Sequence, residues 1–354
     1  MDIQSHIQEL GIVNYRGLSN VQLKDLSRIN IFVGSNNSGK TSILEAIKLL
    51  SAPHDMGQII RIALLRVKAS NEAKRKNLVN YLLSIFKKER DEELGDVYHI
   101  NLRALLGGNP VSYEVDATLG EAVDSFGNAN STVAIGSKAS DKNGKKTYQS
   151  VEIINGTHNV FTPVEKPLFN ATYLHASVSY YQSCVSILSY YIVHEGKEDI
   201  LRILQMFDAT IKDISVVGED IYLHSSVAGS IPLFAYGSGM QKALYLSAAL
   251  VFCQNSIILI DEIDNAIHVT AFEDVFRWFI KACIQYNVQA FITTHSAEAI
   301  DAILRIANNE CNGNDCLRII TLRKDNHTGK TRTKMRNSKE AYMDREVFKM
   351  EFRV

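Results

Sequence analysis

The sequence of 354 residues lacks a long hydrophobic run, a proline-rich linker and a low-complexity segment. Its longest apolar stretch, from Ala243 to Cys253, is interrupted by Ser247 and is too short to span a membrane. The N-terminal residues MDIQSHIQEL have no basic start followed by an apolar run, so we expect no secretory signal. These absences predict a cytoplasmic protein without a membrane partner.

An excess of either charge is also missing. The chain has 38 Lys and Arg residues against 39 Asp and Glu residues, a formal net charge of -1. This balance excludes a globally basic nucleic-acid binder but leaves room for a local basic patch. With 46% hydrophobic residues the chain can bury a substantial core, as one large domain or two medium ones.

Cysteine is scarce, and its number is odd. The five cysteines are Cys184, Cys253, Cys283, Cys311 and Cys316. Their scatter, partly within apolar helical stretches, indicates a reducing compartment. Cys311 and Cys316 are close in sequence, but no second Cys/His pair completes a zinc site, so we predict that all five are plain thiols.

The pattern of apolar residues divides the chain into three segments. Residues 1–51 and 171–354 alternate buried strands with amphipathic helices, and 52–170 read as a helical insertion followed by a β subdomain. The mixed charge run 87–93 falls at the end of the predicted helices. Asn143-Gly144 predicts a tight hairpin turn, because paired positive φ angles favour Asn and Gly.

The sequence GSNNSGKT, Gly34 to Thr41, has the spacing of a phosphate-binding loop, with an apolar strand before it and an amphipathic helix after it. The backbone amides would surround the phosphates of ATP, Lys40 would reach the β- and γ-phosphates, and the Thr41 hydroxyl would bind Mg²⁺. The alternative is a glycine-rich turn that precedes a helix by chance. The candidate nucleotide-binding residues are Gly34, Asn36, Asn37, Ser38, Gly39, Lys40, Thr41 and Ser42.

A second motif, SIILIDEID, begins at Ser256 and places two carboxylates directly after a strand that reads as buried on both faces. Parallel strands deliver their carboxyl ends to the ligand crevice. Asp261 would therefore hold Mg²⁺ through its water ligands, and Glu262 would orient and polarise the attacking water. The alternative is an acidic strand end that caps the next helix.

A third motif, QAFITTHSAEAI, is another apolar strand followed by Thr293, Thr294 and His295 and by a helix capped by Ser296. Such a histidine is often structural. Here it follows the Asp261-Glu262 strand after one long helix, Phe272 to Tyr286, so we predict that His295 contacts the γ-phosphate.

A fourth motif, AYGSGMQKALYLSAAL, puts a Gly-Ser-Gly turn at the start of an apolar helix. Its first amides would attract an anion, which makes Ser238 and Gly239 candidate nucleotide contacts. The alternative is a tight loop-helix junction. A simple P-loop GTPase or kinase needs no second glycine-rich helix start at this position.

In this order, the phosphate loop, the Ser-Gly-x-Gln signature, the strand ending in Asp-Glu and the Thr-His switch resemble the ABC-type ATPases, especially the heads of SMC, RecF-like and OLD-like proteins. The resemblance implies an α/β ABC-ATPase head with a mixed and parallel sheet, and Mg²⁺-dependent ATP hydrolysis. Val13 to Gly17 resembles the first-hairpin motif of these heads, which implies that Arg16 lies near the nucleotide. Asp264 to His268 resembles their dimer-contact loop. The glutamine loop has only two weak candidates, Gln58 and Gln182.

In such heads the signature of one subunit completes the ATP site of another, so the resemblance implies a homodimer or a higher homo-oligomer. Standalone OLD-like ATPases are paired with toxin or nuclease partners in bacterial anti-phage systems, which is the role we favour. The stretch after His295 is too short for the Toprim domain of full OLD nucleases, so we expect a separate effector protein.

Three other roles stay open. A RecF- or SMC-like ATPase would bind DNA without a partner, although 52–95 lack the heptads of a long coiled coil. A transporter subunit would need a membrane partner, and a non-hydrolysing nucleotide sensor would not need Glu262. A basic stretch is best explained as a solvated hairpin, and the alternative is a contact with a partner or a nucleic acid. Its cations are Arg323, Lys324, Lys330, Arg332, Lys334, Arg336 and Lys339.

Overall fold

The computed structural model describes residues 6–53, 55–91, 95–123, 129–155, 166–175, 185, 188–190, 197–265, 267–310, 316–325, 327–346 and 350–352. The chain divides into two compact units, which are described separately. The first comprises Met1–Leu26, Asn36–Asn170 and Leu322–Lys334. The second comprises Ser27–Ser35, Ala171–Thr321 and Met335–Val354.

Strands and helices alternate in both terminal parts of the chain, and strands dominate the middle. The strands are β1 (Ile7–Tyr15), β2 (Leu18–Leu23), β3 (Ile29–Gly34), β4 (Lys87–Asp91), β5 (Gly95–Leu106), β6 (Asn109–Val123), β7 (Ala129–Ser140), β8 (Lys146–Ile154), β9 (Ala171–Leu174), β10 (Ile211–Val217), β11 (Asp220–Ser225), β12 (Gly229–Pro232), β13 (Ile257–Ile260), β14 (Gln289–Thr293), β15 (Leu317–Lys324) and β16 (Thr331–Asn337). The helices are α1 (Lys40–Ser51), α2 (Met56–Leu65), α3 (Asn71–Lys76), α4 (Leu78–Leu83), α5 (Lys197–Phe207), α6 (Ser238–Phe252), α7 (Phe272–Gln285), α8 (Ala297–Glu310) and α9 (Ser338–Glu346).

The first unit is built on an antiparallel sheet in the order β2-β1-β5-β6-β7-β8, with β4 paired to β5. Alternate residues of the long central strands are buried, as in Tyr113, Val115 and Ala117 of β6. This period of two is what a sheet with one packed face requires. The first two strands, from segment 1–51, therefore share a sheet with the strands of segment 52–170.

A second sheet has the order β16-β15-β3-β14-β13-β9, and its strands belong to the second unit except for the parts of β15 and β16 within Leu322–Lys334. Strands β9, β13, β14 and β3 pair in parallel in this order, and β3, β13 and β14 are buried along their whole length. Their apolar residues do not alternate because both faces of the sheet are covered. The four strands end at the same edge, where a ligand crevice forms in open α/β sheets. The residues that follow them are Ser35, Thr294, Asp261 and His175.

A smaller antiparallel sheet, β10-β11-β12, also belongs to the second unit. Its buried side chains Ile211, Ile214, Ile221 and Leu223 share one apolar cluster with residues of α5 and α6. The sequence reading of a continuous βαβ pattern after residue 197 misses this sheet. Its strands are short and only partly buried, so their hydrophobic signal is weak.

Two further details differ from the sequence reading. The charge run at residues 87–91 is strand β4 rather than part of a helix, because an edge strand tolerates charged side chains on both faces. The turn at Asn143-Gly144 lies in a five-residue loop in which Gly144, but not Asn143, has a positive φ, of 76°. The Asp141 carboxylate accepts hydrogen bonds from the amides of Asn143 and Lys145. These bonds stabilise the turn without a positive φ at Asn143.

The cysteines are also not all plain thiols. Cys253 and Cys283 are free and buried, and burial raises the pKa of the Cys283 thiol. Cys316 is disulfide-bonded, so the prediction is wrong for this residue, because spacing in sequence does not show which thiols approach each other in space. Cys184 and Cys311 lie outside the described residues.

Among the helices that the structure describes, none is long and apolar enough to cross a membrane.

Candidate functional site

The predicted phosphate loop connects β3 to α1. Three of its residues have positive φ angles: Gly34 at 146°, Asn37 at 62° and Gly39 at 103°. A Cβ atom on Gly39 would lie 2.5 Å from Leu18 Cδ2, so this position requires glycine on two grounds. The Gly39 carbonyl then accepts the first α1 hydrogen bond from the Ile43 amide, at 3.0 Å. The glycine spacing of the motif therefore reflects backbone geometry.

The loop is exposed at its tip and buried at its base. Asn36 and Asn37 are exposed, whereas Ser38 is buried and Lys40 is only 5% exposed. The Ser38 hydroxyl is buried and has no hydrogen-bond partner within the described chain. A phosphate group would satisfy this hydroxyl and the positive end of α1 together, so the loop fits a polyphosphate. Thr41 is half-buried at the second position of α1, where its hydroxyl would be a cation ligand.

The sequence reading missed a buried carboxylate, Glu45, one turn after Thr41. Its Oε2 atom accepts hydrogen bonds from Arg16 Nε at 2.8 Å and from the Tyr15 hydroxyl at 3.0 Å. Its Oε1 atom accepts one from Arg66 Nε at 2.7 Å. A second Arg66 nitrogen donates to the Ser42 hydroxyl at 3.3 Å. Ser42 therefore takes part in this ion-pair cluster, which ties α1 to β1 and to the end of α2.

Arg16, predicted to lie near the nucleotide, has one side of its guanidinium fixed by Glu45. Its Nη2 atom is buried and has no hydrogen-bond partner in the part of the chain that the structure describes. Burial lowers the pKa of Arg16, but the neighbouring Tyr15 and Glu45 outweigh it and the net shift is upward. The cation is thus held in a desolvated position, with Nη2 left to donate to an anion.

At the edge of the second unit, Thr293 links the carboxylate of Asp261, predicted to hold the metal, to the backbone of Glu262, predicted to be catalytic. Its hydroxyl donates to Asp261 Oδ1 at 2.7 Å and accepts from the Glu262 amide at 2.8 Å. The Asp261 amide donates to the carbonyl of Leu174 in β9 at 2.9 Å. Asp261 is therefore buried with a fixed carboxylate, and its oxygen atoms suit a divalent cation. The sequence analysis placed Thr293 in the motif before His295 but predicted no contact between Thr293 and Asp261.

Glu262 has a left-handed backbone, with a φ of 53°. This conformation costs a residue with a Cβ atom about 1–2 kcal/mol, and such strain persists where function requires it. Asp264, two residues further on, has a buried Oδ1 atom without a hydrogen-bond partner among the described residues. The strained turn therefore places the carboxylates of Glu262 and Asp264 shortly after the end of β13.

We expect Glu262→Gly to be more stable than Glu262→Ala by about 1 kcal/mol, because glycine adopts a positive φ without steric cost. The same pair of substitutions at Glu273, an exposed residue of α7, should give the opposite order. Urea unfolding midpoints of the four variants test this. Equal stability of the two Glu262 variants would show that the position is not strained.

The predicted switch residues follow β14. The Thr294 amide donates to the carbonyl of Phe32 in β3 at 3.4 Å, and its hydroxyl accepts from the Ser296 amide at 3.1 Å. Ser296 caps α8, since its hydroxyl accepts from the Ala299 amide at 3.0 Å. His295 is half-buried between these two anchored residues. The arrangement brings His295 to the sheet edge that also carries Asp261 and Glu262.

The signature segment begins α6. Gly237 and Ser238 are exposed and Gly239 is half-buried, so the first turn of the helix is accessible to an anion. Met240 is buried in an apolar cluster. Gln241 donates from its side-chain amide to the Tyr236 carbonyl at 2.9 Å and closes the turn. Met240 therefore anchors the first turn of the helix, while Ser238 stays exposed.

The next residue, Lys242, is a buried cation that the sequence reading did not single out. Burial lowers its pKa, and the negative charges of Asp264, Glu262 and Asp261 oppose this shift. Lys242 thus couples the signature helix electrostatically to the carboxylates. The only signal for it in the sequence is a lysine within an apolar helical pattern. Because lysine is rarely buried without charged partners, such a position indicates opposite charges nearby.

The comparisons with known proteins agree with this geometry. The family described as "AAA domain, putative AbiEii toxin, Type IV TA system" matches residues 29–301. The chain belongs to this family. The matched range includes the phosphate loop, the signature segment, the Asp261-Glu262 pair and Thr294.

Two curated relatives are similar over very different lengths. An "ATP/GTP phosphatase" of Helicobacter pylori is 22% identical over 336 residues, which cover 84% of this chain and 87% of that protein. A "DNA replication and repair protein RecF" of Acinetobacter baumannii is 52% identical, but only over 46 residues, 13% of each chain. Most of this chain thus aligns with the phosphatase, whereas only a short segment aligns with RecF.

A solved structure confirms the predicted fold class. The SMC head, crystallised with the C-winged helix domain of ScpA, superposes with a TM-score of 0.50 at 12% identity, covering 94% of this chain and 98% of that chain. The fold is therefore that of an ABC-type ATPase head, a P-loop NTPase. The AAA-domain family and the similarity to an ATP/GTP phosphatase over most of the chain identify the protein as an ATPase.

Proposed function

We propose that the chain hydrolyses ATP with Mg²⁺ at a site completed by a second copy of itself. We assign phosphate binding to the loop residues Gly34 to Thr41, with Lys40 neutralising the phosphate charge. Thr41 of the first unit and Asp261 of the second are each assigned to cation binding, and Mg²⁺ would supply neutralisation of the phosphate charge. Glu262 takes the proton of the attacking water. Arg16 of the first unit and His295 of the second are each assigned to γ-phosphate contact.

The accessible start of α6 carries the dimer proposal. Ser238 is exposed, and Phe234, four residues earlier, is 68% exposed. Val269, which follows the predicted dimer-contact loop Asp264 to His268, is 50% exposed. Apolar side chains beside polar binding motifs are typical of protein interfaces. A second copy would cover both side chains while its phosphate loop meets Ser238 and Gly239.

In this proposal ATP joins two copies, and hydrolysis loosens them. A cycle of this kind suits a regulator, so the chain would control a separate toxin or nuclease in anti-phage defence. The family description, which names a putative toxin and a type IV TA system, supports a place in a system of this kind. The ATPase would hold or release the effector according to its nucleotide state.

The experiment that tests this role expresses the chain with the genes that flank it in its own genome. We expect cells with the wild-type set to resist a phage panel, and cells in which the ATPase carries Lys40→Ala to lose that resistance. The proposal is contradicted if the wild-type set protects cells and the Lys40→Ala set protects them equally, as shown by equal plating efficiency of the phage. Defence would then not depend on ATP binding by this chain.

The second candidate is a RecF- or SMC-like ATPase that acts on DNA, and the basic hairpin favours it. Strands β15 and β16 are neighbours in the sheet, and the Asp325 amide donates to the Lys330 carbonyl at 2.9 Å to close their loop. Exposed cations cluster on this hairpin, all within the first unit: Arg323, Lys324, Lys330, Arg332 and Lys334. Arg336, predicted to be part of this stretch, is buried and bound to Asp344 and Thr321. It serves packing and not ligand contact.

Replacing these five exposed cations by Gln should weaken DNA binding if DNA is the partner. Each phosphate contact that is lost should reduce the slope of log K against log salt by about 0.9. Fluorescence anisotropy of a labelled duplex over a range of salt, with and without ATP, measures this slope. Substitution is preferable to removal of the hairpin, because removal would also destroy the Arg336–Asp344 ion pair.

The matched control replaces three exposed lysines of the same unit, namely Lys142 and Lys145 of the β7–β8 loop and Lys146, the first residue of β8. If the control and the hairpin variant lose affinity equally for each charge removed, DNA contact is nonspecific and the hairpin is a solvated surface. If wild-type protein binds no DNA in either nucleotide state, the second candidate is excluded.

A further inference from the structure

A fully buried carboxylate, Glu45 of α1, binds two cations of the first unit. Its Oε2 atom accepts from Arg16 Nε at 2.8 Å and from the Tyr15 hydroxyl at 3.0 Å. Its Oε1 atom accepts from Arg66 Nε at 2.7 Å. Burial, together with the charge of Glu45, raises the pKa of Tyr15, so the phenol stays neutral. Two cations thus face one carboxylate, and the cluster keeps an excess of positive charge.

The partner of Oε1 affects how Arg16 binds Glu45. An arginine often binds a carboxylate through two parallel hydrogen bonds, one to each oxygen atom. Here Arg66 binds Oε1, and Arg16 reaches Glu45 through Nε alone. The neighbouring Nη2 atom of Arg16 is buried and has no hydrogen-bond partner among the residues that the structure describes. A buried charged donor of this kind is costly unless an anion binds it.

The turn that carries Arg16 packs against the phosphate loop. Arg16 has a left-handed φ of 48°, and its amide donates to the Ile85 carbonyl at 3.0 Å. Two residues later, Leu18 lies so close to Gly39 of the loop that a Cβ atom on Gly39 would be 2.5 Å from Leu18 Cδ2. A strained backbone persists where the surrounding structure holds it, commonly at functional sites. The position of Arg16 is therefore fixed from its backbone as well as from Glu45.

We infer that Glu45 is a positioning residue that holds Arg16 with its Nη2 atom directed at the γ-phosphate, while Arg66 keeps Glu45 from binding that atom as well. This role rests on the proposed function, in which Arg16 contacts the γ-phosphate. Because ADP lacks this phosphate, the contact makes the site prefer ATP to ADP. A cluster that only tied β1, α1 and α2 together would affect both nucleotides alike.

Calorimetric titration of the full chain measures this preference. The ligands are ADP and the β,γ-methylene analogue of ATP, each with Mg²⁺. Arg16→Ala and Glu45→Gln should each weaken binding of the analogue about tenfold, and binding of ADP less than about threefold. The double variant should bind the analogue no more weakly than Arg16→Ala alone, because Glu45 acts through Arg16.

Arg66→Gln tests the same contact with Arg16 and Glu45 intact. It frees Oε1, so Glu45 can bind Nε and Nη2 of Arg16 together and withdraw Nη2 from the nucleotide. The Arg66 side chain is 39% exposed, so the variant should fold. Its preference for the analogue over ADP should fall about threefold or more, but not when Arg16 is replaced by Ala. The matched control, Arg61→Gln, changes an exposed arginine of α2 that pairs with Asp55 and should keep the wild-type preference.

Three results would overturn the role of Glu45. Equal losses of ADP and analogue affinity in Glu45→Gln would make the cluster a purely structural contact. Losses that multiply when Glu45→Gln is combined with Arg16→Ala would show that Glu45 does not act through Arg16. If Glu45→Gln does not fold, an unchanged nucleotide preference in Arg66→Gln decides against the role instead.

The proposed function fails by a different result. Lys40→Ala protein that binds both nucleotides as tightly as the wild type would refute the phosphate site itself. If Lys40→Ala weakens binding but Arg16→Ala keeps the wild-type preference for the analogue, the ATP site stands. Arg16 would then not contact the γ-phosphate, and Glu45 would have no positioning role.

Discussion

Glu262→Gln should bind ATP normally and hydrolyse it at least about 10²-fold more slowly than the wild type. The amide keeps the shape of the side chain but cannot accept the proton of the attacking water. The backbone contact that positions this residue, from its amide to the Thr293 hydroxyl, does not involve the carboxylate and should persist. Because hydrolysis is what separates the subunits in our proposal, the ATP-bound oligomer should accumulate.

Phosphate release and light-scattering mass, each with and without ATP, measure the two effects. The matched control is Glu273→Gln, which changes an exposed carboxylate of the same unit that pairs with Arg305 at 3.3 Å. Control and wild type should behave alike. Wild-type turnover in Glu262→Gln would remove this residue from the mechanism, and slow turnover without a larger mass would break the link between ATP and assembly.

Local patterns were sufficient to predict the parts of the fold that carry the nucleotide motifs. Residues 1–51 contain the predicted buried strand and amphipathic helix, and the loop between β3 and α1 lies where the glycines indicate. These elements are specified by short-range features, namely continuous apolar residues, helical spacing and residues that tolerate positive φ. The β10-β11-β12 sheet was missed because its short strands obtain their apolar partners from α5 and α6.

The residues that were missed near the site share one property: their partners are distant in sequence. Glu45 meets Arg16 and Arg66 from two other elements, and His175 meets Asp261 across a parallel strand pair. Charged residues inside an apolar pattern gave the only signal, and sequence alone does not show which opposite charge lies nearby. Arg16 shows the converse, since its motif was recognised but its ion pair with Glu45 was not.

Lys40→Ala should lower ATP affinity by about tenfold to a hundredfold, because a hydrogen bond to a charged group contributes about 1.5–3 kcal/mol. Lys40 is 5% exposed, so water cannot readily replace its ammonium group. Nucleotide titration by calorimetry checks this expectation. Near-normal affinity and turnover would contradict the assignment of the loop to phosphate binding.

Ser238→Arg should leave ATP binding at Lys40 largely intact and abolish turnover. Ser238 is the first residue of α6 and is exposed, so the variant should fold normally. The larger, charged side chain would prevent a second copy from closing on the bound nucleotide. Wild-type hydrolysis in this variant would reduce the segment from Ala235 to Lys242 to a loop-helix junction.

Mixing the two inactive proteins, Lys40→Ala and Ser238→Arg, should restore activity. In a mixed dimer the intact Lys40 of one chain faces the intact Ser238 of the other, which makes one working site, while the opposite site carries both substitutions. Random exchange in an equal mixture makes half of the dimers mixed, so about a quarter of wild-type turnover should return. Two copies of the Ser238→Arg protein have no such site at any concentration. Mixed dimers that are proven by mass but remain inactive would refute a site shared between two chains.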